Sequence, residues 1–254
     1  MASFYHEMRE FVLNHGAIHN PYLTRFQRGA LSDRDLYEFA YEFYNFARFF
    51  PKILVAQLVN TEDESVADEL TRVLYSELGD GHPEHRHELL YRRFLRSIGI
   101  TVSEALTLPM LPSTKAYING MEDLYGSGNH HQALGASFGL ENMAITMWDH
   151  LIPGLLIIKE SRFPDLDLAY FTFHRDLEAT HEQAMEKAVA AIEGPTGDRG
   201  HLTAEKRGDF FWGVKKVLDF LEGFWMGLDH KRNGQRPFQG PTSDPLLTIT
   251  GATR

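Results

Sequence analysis

Two histidines and a glutamate recur at helical spacing in the second half of the chain, as His174, Glu178 and His181. Residues three and four apart lie on one face of an α-helix, so these three side chains would converge over two turns. The stripe that contains them is apolar at both ends, around Tyr170 and Met185. Imidazole nitrogen with carboxylate oxygen suits iron or manganese, and also zinc. The pattern favours a metal-binding helix over a solvated face with incidental charges.

Glu141 is a single carboxylate in a stretch that is apolar almost all round, between Leu134 and Trp148. A carboxylate buried alone is costly, or it takes up a proton. No Lys or Arg occurs between His130 and Ile158, so a partner must come from elsewhere. An ion pair with a distant Arg and a protonated core Glu remain alternatives. We expect a bridging metal ligand.

A third stripe ends in acids and a histidine around a glycine-rich break. Glu77, Asp80 and Glu84 precede His87 by ten, seven and three residues. Pro83 makes a continuous helix doubtful, so helical angle does not choose among the three acids. Glu77 continues the apolar stripe most cleanly, Asp80 suits a turn or cap, and Glu84 stays a candidate ligand.

Together the three stripes offer more ligands than a mononuclear site uses, whereas two metals that share bridging carboxylates would use them all. The candidate metal ligands are Glu77, Glu84, His87, Glu141, His174, Glu178 and His181. Those with a predicted catalytic role are Glu141, His174, Glu178 and His181.

Helices must position these residues, because the helical period recurs along the chain and no convincing alternating strand occurs. We expect helices at about 33–59, 61–78, 83–97, 102–108, 112–126, 132–150, 166–193 and 203–230. Ser32 would cap the first, Pro51 would break or kink it, and Pro153 would limit the helix that carries Glu141. The fold class is all-α, a bundle of about seven to nine helices. Residues 1–254 form a single domain with an extended tail from about 233.

Composition excludes several classes of function. The net charge of −10 argues against nucleic acid, and the absence of cysteine excludes disulfides, iron–sulfur clusters and a cysteine nucleophile. No apolar run is long enough to span a membrane, and no leader precedes the first helix, so we expect no membrane partner and a cytoplasmic location.

The chain resembles the haem-oxygenase-like diiron oxidases, a family within the superfamily of thiaminase-II and pyrroloquinoline-quinone synthase. The likeness covers most of the chain, and the family's ligand order is Glu, His, Glu, then His-x3-(Asp/Glu)-x2-His. The residues that carry it are His19-Asn20-Pro21-Tyr22, Gly29-Ala30-Leu31-Ser32, the segment from Glu77 to His87, Glu141, and His174-x3-Glu178-x2-His181.

The resemblance implies a haem-oxygenase-like helical bundle that binds two Fe(II) ions and uses O2 as co-substrate. It implies a biosynthetic oxidase or oxygenase acting on a small molecule, an amino acid or a fatty-acid-like carboxylate, by desaturation, C–C cleavage or N-oxygenation. We also expect a homodimer and allow for an external electron donor. Tyr41, Tyr44 and Arg48 are candidates for substrate contact, although a core role is the stronger expectation for each.

Other branches of the superfamily fit less well. Thiaminase-II requires a cysteine, His19 is a poor proximal ligand for haem, and Leu151 stands where self-sacrificing 4-aminobenzoate synthases have a lysine. Two alternatives stay open. One is a metal-free cofactorless oxidase or binding protein resembling pyrroloquinoline-quinone synthase, and the other is a metal-storage protein.

Overall fold

The computed structural model describes residues 4–193 and 203–232, except the side chains of 178–181, 184, 191–193 and 232. These residues form ten α-helices, one short 3-10 turn and no strand, so the all-α prediction is confirmed. The predicted tail from 233 lies outside the described residues. The helices are α1 (Phe4–Leu13), α2 (Pro21–Gln27), α3 (Asp33–Val59), α4 (Glu64–Glu77), α5 (His87–Ser97), α6 (Val102–Thr107), α7 (Pro112–Gly126), α8 (His130–Ser161), α9 (Ala169–Glu193) and α10 (Ala204–Arg232).

Helix α8 is the centre of the bundle and packs most extensively against α10 and α9. The crossing with α10 is close because glycines face backbone there. A Cβ added at Gly135 would lie 2.0 Å from the Phe210 carbonyl oxygen, and one at Gly213 would lie 2.0 Å from that of Gln132. Larger residues at these two positions would push the helices apart.

An aromatic core joins α3 to its neighbours. Phe43 stacks on Tyr91 of α5 and on Trp225 of α10, with ring centroids 5.8 and 6.3 Å apart. Phe171 of α9 meets Phe94 edge-on at 4.9 Å. Rings of this size remove much apolar surface from water, so this cluster fixes the helices that carry the candidate ligands.

Three predicted helix boundaries were wrong. Helix α8 does not end near Pro153 but runs on to Ser161. Pro153 has no N–H to donate to the Asp149 carbonyl oxygen, and Gln27 Nε2 donates to that oxygen instead, at 3.3 Å. The helix expected from about 61 begins at Glu64, and Asp63 caps it by accepting from two backbone amides. The expected helix from 83 begins only at His87, after the 3-10 turn Pro83–His85. Helices α1 and α2 were not predicted.

Helix α3 is continuous through Pro51, and Ser32 caps it as predicted, in a capping box with Asp35. Within residues 4–193 and 203–232, the structure contains no helix with the length and apolar character needed to cross a membrane.

Candidate metal centre

A tight reversal brings two candidate ligands together. Glu77 is the last residue of α4 and His87 the first of α5. Between them Gly79, Asp80 and Gly81 have φ values of 94°, 52° and 81°. This left-handed region is open to glycine and tolerated by Asp, which explains the glycine-rich break in the sequence. The prediction that Asp80 belongs to a turn agrees with this geometry.

Glu77, His87 and His174 form a buried triad drawn from three helices. Glu77 Oε2 lies 2.9 Å from His87 Nδ1, and Glu77 Oε1 lies 3.9 Å from His174 Nε2. The two imidazole centroids are 4.2 Å apart. The three side chains are 6%, 2% and 6% exposed, and one ligand atom from each lies within 4.8 Å of the others.

The donor atoms of this triad fit a metal ion. Within the described part of the chain, neither ring nitrogen of His87 makes a hydrogen bond, although both are buried. Its short contact with Glu77 therefore lacks hydrogen-bond geometry. Metal–ligand bonds of about 2.1 Å at right angles put neighbouring ligand atoms about 3 Å apart, close to the spacing of these two residues. A bound cation would satisfy atoms that are otherwise costly to bury.

The orientation of His174 is set by the backbone of its own helix. Its Nδ1 lies 2.7 Å from the Tyr170 carbonyl oxygen, which can only accept, so Nδ1 carries the proton and donates. In the neutral ring Nε2 is then the nitrogen with a lone pair free for a metal, and it lies 3.9 Å from Glu77 Oε1. Metal-binding histidines commonly have their second nitrogen held in this way.

Glu141 shares a cavity with two members of the triad, Glu77 and His174. The cavity has a volume of about 50 Å³, and its polar lining residues are Glu77, Glu141 and His174. Glu141 is 6% exposed but is not one of the three residues clustered within 4.8 Å. The rest of the wall is apolar or aromatic: Phe43, Phe46, Ala47, Phe50, Leu140, Met143, Ala144, Met147, Trp148 and Tyr170.

The structure does not bring Glu84 to this cluster. It lies on the 3-10 turn with its side chain 66% exposed, 3.6 Å from His82. A hydrogen bond from its own backbone amide, and then the neighbouring histidines, lower the pKa of its carboxyl. The remaining predicted ligands, Glu178 and His181, follow His174 on α9, and their side chains lie outside the described residues.

None of the three residues suggested for substrate contact lines the cavity, because α3 presents Phe43, Phe46, Ala47 and Phe50 to it instead. Tyr44 is buried and donates to Glu88 Oε1 at 2.6 Å; burial and this carboxylate raise the pKa of Tyr44 to about 12.

The other two also point elsewhere. Arg48 donates to Asn45 on its own helix. Tyr41 packs against the core, partly buried. Tyr44 is buried, which agrees with the stronger expectation of a core role, whereas Tyr41 and Arg48 are only partly buried.

Sequence reasoning missed buried polar groups beside Glu141. Ser137 donates to Gln57 of α3 at 2.6 Å, and Asn142 is 3% exposed. Burial raises the pKa of Tyr125, and Ser137 and Glu141 act on it in opposite directions. Ser137 and Asn142 interrupt an otherwise apolar stretch of α8 next to its one buried carboxylate, and that interruption was the available signal.

A family comparison bears on this site. Residues 37–207 match the family described as "Iron-containing redox enzyme". The chain belongs to this family. The matched segment contains the triad, Glu141 and all other predicted ligands, and the family description agrees with iron as the metal suited to these donors.

Comparison with solved structures shows that this chain has the haem-oxygenase-like fold, as its resemblance to the haem-oxygenase-like diiron oxidases implied. A domain of unknown function with that fold from Shewanella denitrificans is 18% identical, with a TM-score of 0.66 and 90% of each chain covered. A CADD-like protein of unknown function from Nostoc punctiforme is 17% identical, with a TM-score of 0.73 over 90% of this chain and 96% of that one. A TenA homologue from Pseudomonas syringae is 12% identical, with a TM-score of 0.68 over 85% and 87%. No curated protein matches the sequence.

Proposed function

We propose that this iron-containing redox enzyme is a non-haem diiron oxidase or oxygenase that uses O2 to modify a small molecule. The observation that carries the proposal is the buried Glu77–His87–His174 triad, two members of which, Glu77 and His174, line one cavity with the buried carboxylate Glu141. Two buried carboxylates and two buried imidazoles supply charge and donors that suit divalent iron.

The triad would hold the first Fe(II) ion through a carboxylate oxygen and two ring nitrogens. Glu141 faces the same cavity, and Glu178 and His181 are the ligands expected from the sequence to complete a second site. Bound iron would supply the activation of O2, which no side chain can perform. The protein contributes negative charge that stabilises the oxidised metals, and rings such as Trp148 and Phe43 that exclude water.

The cavity wall favours a fatty-acid-like carboxylate over an amino acid. Apart from Glu77, Glu141 and His174, the described lining residues carry no charge, and none is Lys or Arg. An alkyl chain needs only such a wall, whereas the ammonium and carboxylate of an amino acid both need partners. The substrate carboxylate could be neutralised by the metal ions themselves.

The cavity must widen to admit such a substrate. About 50 Å³ holds one or two water molecules or O2, and organic ligands occupy larger pockets. Met143 and Met147 line the wall, and unbranched thioether side chains change rotamer readily. We expect substrate to enter by displacing them.

The electron balance determines whether a donor is needed. A desaturation takes two electrons and two protons from the substrate, and reduction of O2 to two water molecules takes four of each. The two further electrons would come from an external donor, and the two further protons from water.

Oxygen consumption by the iron-loaded protein tests this function. Anaerobically reduced protein would be given Fe(II), then O2, with a panel of fatty acids and amino acids, followed by mass analysis of products. We expect substrate-dependent O2 uptake that ceases when Glu141 is replaced by Ala. Uptake that persists with a chelator in place of iron would favour the cofactorless oxidase. Iron binding with no uptake for any substrate would favour metal storage.

A further inference from the structure

A line of packed aromatic rings connects a surface cleft to the buried triad. The cleft has a volume of about 360 Å³ and lies between α2, the start of α3 and the end of α10. Ser32 and Arg34 on its wall are exposed, so it opens to solvent, and the buried Tyr22 lines it as well. A volume of this size is in the range of organic-ligand pockets. A small organic molecule in the cleft would therefore contact Tyr22.

Four ring contacts cross the interior from this cleft. The Tyr22 ring stacks on Trp225 of α10 with centroids 5.7 Å apart, and Trp225 stacks on Phe43 at 6.3 Å. Phe43 meets Trp148 edge-on at 6.1 Å, and the Trp148 and His174 centroids are 5.3 Å apart. Each separation is typical of packed aromatic pairs. The line therefore runs without a gap from the cleft to a member of the triad.

Two of the chain's three tryptophans lie on this line, and both are buried. Indole is among the most readily oxidised side chains of proteins, whereas the phenyl ring of Phe43 only provides the contact between Trp225 and Trp148. These two indoles can therefore give up and regain an electron in the interior of the bundle.

The surroundings of the Trp225 indole suit electron transfer better than a packing role alone. Among the described residues, Trp225 Nε1 has no hydrogen-bond acceptor although it is buried. An unpaired buried donor is destabilising, and phenylalanine would fill the core without one. Because the N–H proton has no group to move to, the ring can pass an electron without losing that proton.

The proposed function requires such a path, because a desaturation leaves two electrons to be supplied from outside and the triad is buried. We propose that Trp225 and Trp148 relay electrons to the metal site from a small organic donor that binds in the cleft beside Tyr22. The inference rests on the proposed function.

The electrons balance over two transfers. In each transfer Trp148 gives one electron to the oxidised metal site, Trp225 restores the electron of Trp148, and the donor restores that of Trp225. The donor is oxidised by one electron and the site is reduced by one, while both indoles return to their starting state. Two transfers supply the two electrons, and the two protons come from water.

Reduction of the oxidised iron site without substrate tests the relay. Iron-loaded protein would be oxidised with O2, freed of O2 and mixed with reduced methyl viologen, a small organic one-electron donor whose own absorption reports its oxidation. Trp225→Phe keeps a ring in the core and removes the indole. Trp212→Phe is the matched control, because Trp212 is the other tryptophan of α10, is 41% exposed and does not belong to the line.

We expect Trp225→Phe to slow reduction by at least about tenfold, equivalent to an activation barrier about 1.4 kcal/mol higher. Trp212→Phe should leave the rate unchanged, and all proteins should bind the same amount of iron.

Electron paramagnetic resonance gives a second readout that does not depend on turnover. After exposure to O2 without donor or substrate, the frozen protein should contain an indole radical, identified by the change in its spectrum when the tryptophans are deuterated. The radical should be absent from Trp148→Phe, which lacks the indole beside the triad, and present in Trp212→Phe.

Equal rates in Trp225→Phe and the unmodified protein, equal slowing in Trp212→Phe, or a radical that persists in Trp148→Phe would overturn the relay and leave the proposed function standing. Failure of the unmodified protein to bind iron, or of O2 to oxidise that iron, would instead refute the proposed function and, with it, the inference. Circular dichroism would verify folding. If Trp225→Phe does not fold, Tyr22→Leu removes the outermost ring; reduction at least about tenfold slower is then expected, and an unchanged rate would refute the relay.

Discussion

Replacing Glu77 with Gln separates two effects of the metal site on stability: the destabilisation of the metal-free protein and the stabilisation by bound metal. Glutamine keeps the volume of the side chain and removes its charge. Glu77 is 6% exposed, so without metal a charge on its carboxylate would be held where water is scarce. Such groups persist at functional sites although they lower stability. The substitution should therefore leave the metal-free protein as stable as before, or more stable by up to about 2 kcal/mol.

The effect on metal-dependent stability should have the opposite sign. A ligand present at 100 times its Kd raises the free energy of unfolding by about 2.7 kcal/mol. For a chain of this size that corresponds to a rise in Tm of about 5–11 °C. Loss of groups that merely orient a ligand weakens metal binding about 10- to 100-fold, so loss of a charged ligand should cost at least about 100-fold. The metal-dependent rise in the free energy of unfolding would then fall to about 0.4 kcal/mol.

Anaerobic thermal unfolding with and without Fe(II) measures both effects. The measurement belongs at about pH 8, above the ordinary pKa of imidazole. Glu69→Gln is the matched control, because Glu69 is another buried carboxylate of α4, paired with Arg72 at 2.9 Å and not part of the triad. A Glu77→Gln protein that keeps the full metal-dependent rise in Tm would refute the assignment of Glu77 as a ligand.

Three further predictions follow from the structure. Gly79→Ala should weaken iron binding by at least about tenfold in a titration. The added Cβ would lie 2.3 Å from the His82 carbonyl oxygen at a φ of 94°, so the reversal between Glu77 and His87 would shift. Unchanged affinity would refute this role of the turn. Glu84→Gln should leave iron stoichiometry and affinity unchanged, since this side chain is exposed, and a lost ion would restore it as a ligand. Burial lowers the pKa of His130, so the unfolded chain binds more protons than the folded one and stability is lost as pH falls below about 6.5. His130→Gln should reduce that loss, measured by denaturant titrations at about pH 7.5 and 5.5. The same pH dependence in the variant and the unmodified protein would contradict the role of His130.

Periodic patterns predicted the parts of the site that depend on one helix at a time. The apolar stripe that contains Glu77 indicated correctly that this side chain faces inward, and the same reasoning placed Glu141 and His174 in the interior. Each inference needs only that an apolar stripe packs against the core, which the hydrophobic effect enforces.

Features that depend on the path between helices could not be read from those patterns. Glu84 matched His87 at helical spacing, but Glu84 lies on the 3-10 turn Pro83–His85. The non-helical Arg86 separates that turn from α5, so the Glu84 side chain lies in solvent. The Tyr5–Asn142 contact joins residues 137 apart in the chain, and no local rule links them. Pro153 predicted a helix end, yet buried packing on both sides carries α8 past it.

Iron stoichiometry tests the central claim most directly. After anaerobic loading with Fe(II) and removal of free metal, elemental analysis gives the iron bound per chain, and Mössbauer spectroscopy after exposure to O2 reports whether the ions are coupled. We expect about two irons per chain and a coupled pair, as two metals sharing bridging carboxylates require. One iron per chain, uncoupled, or none retained, would contradict the account.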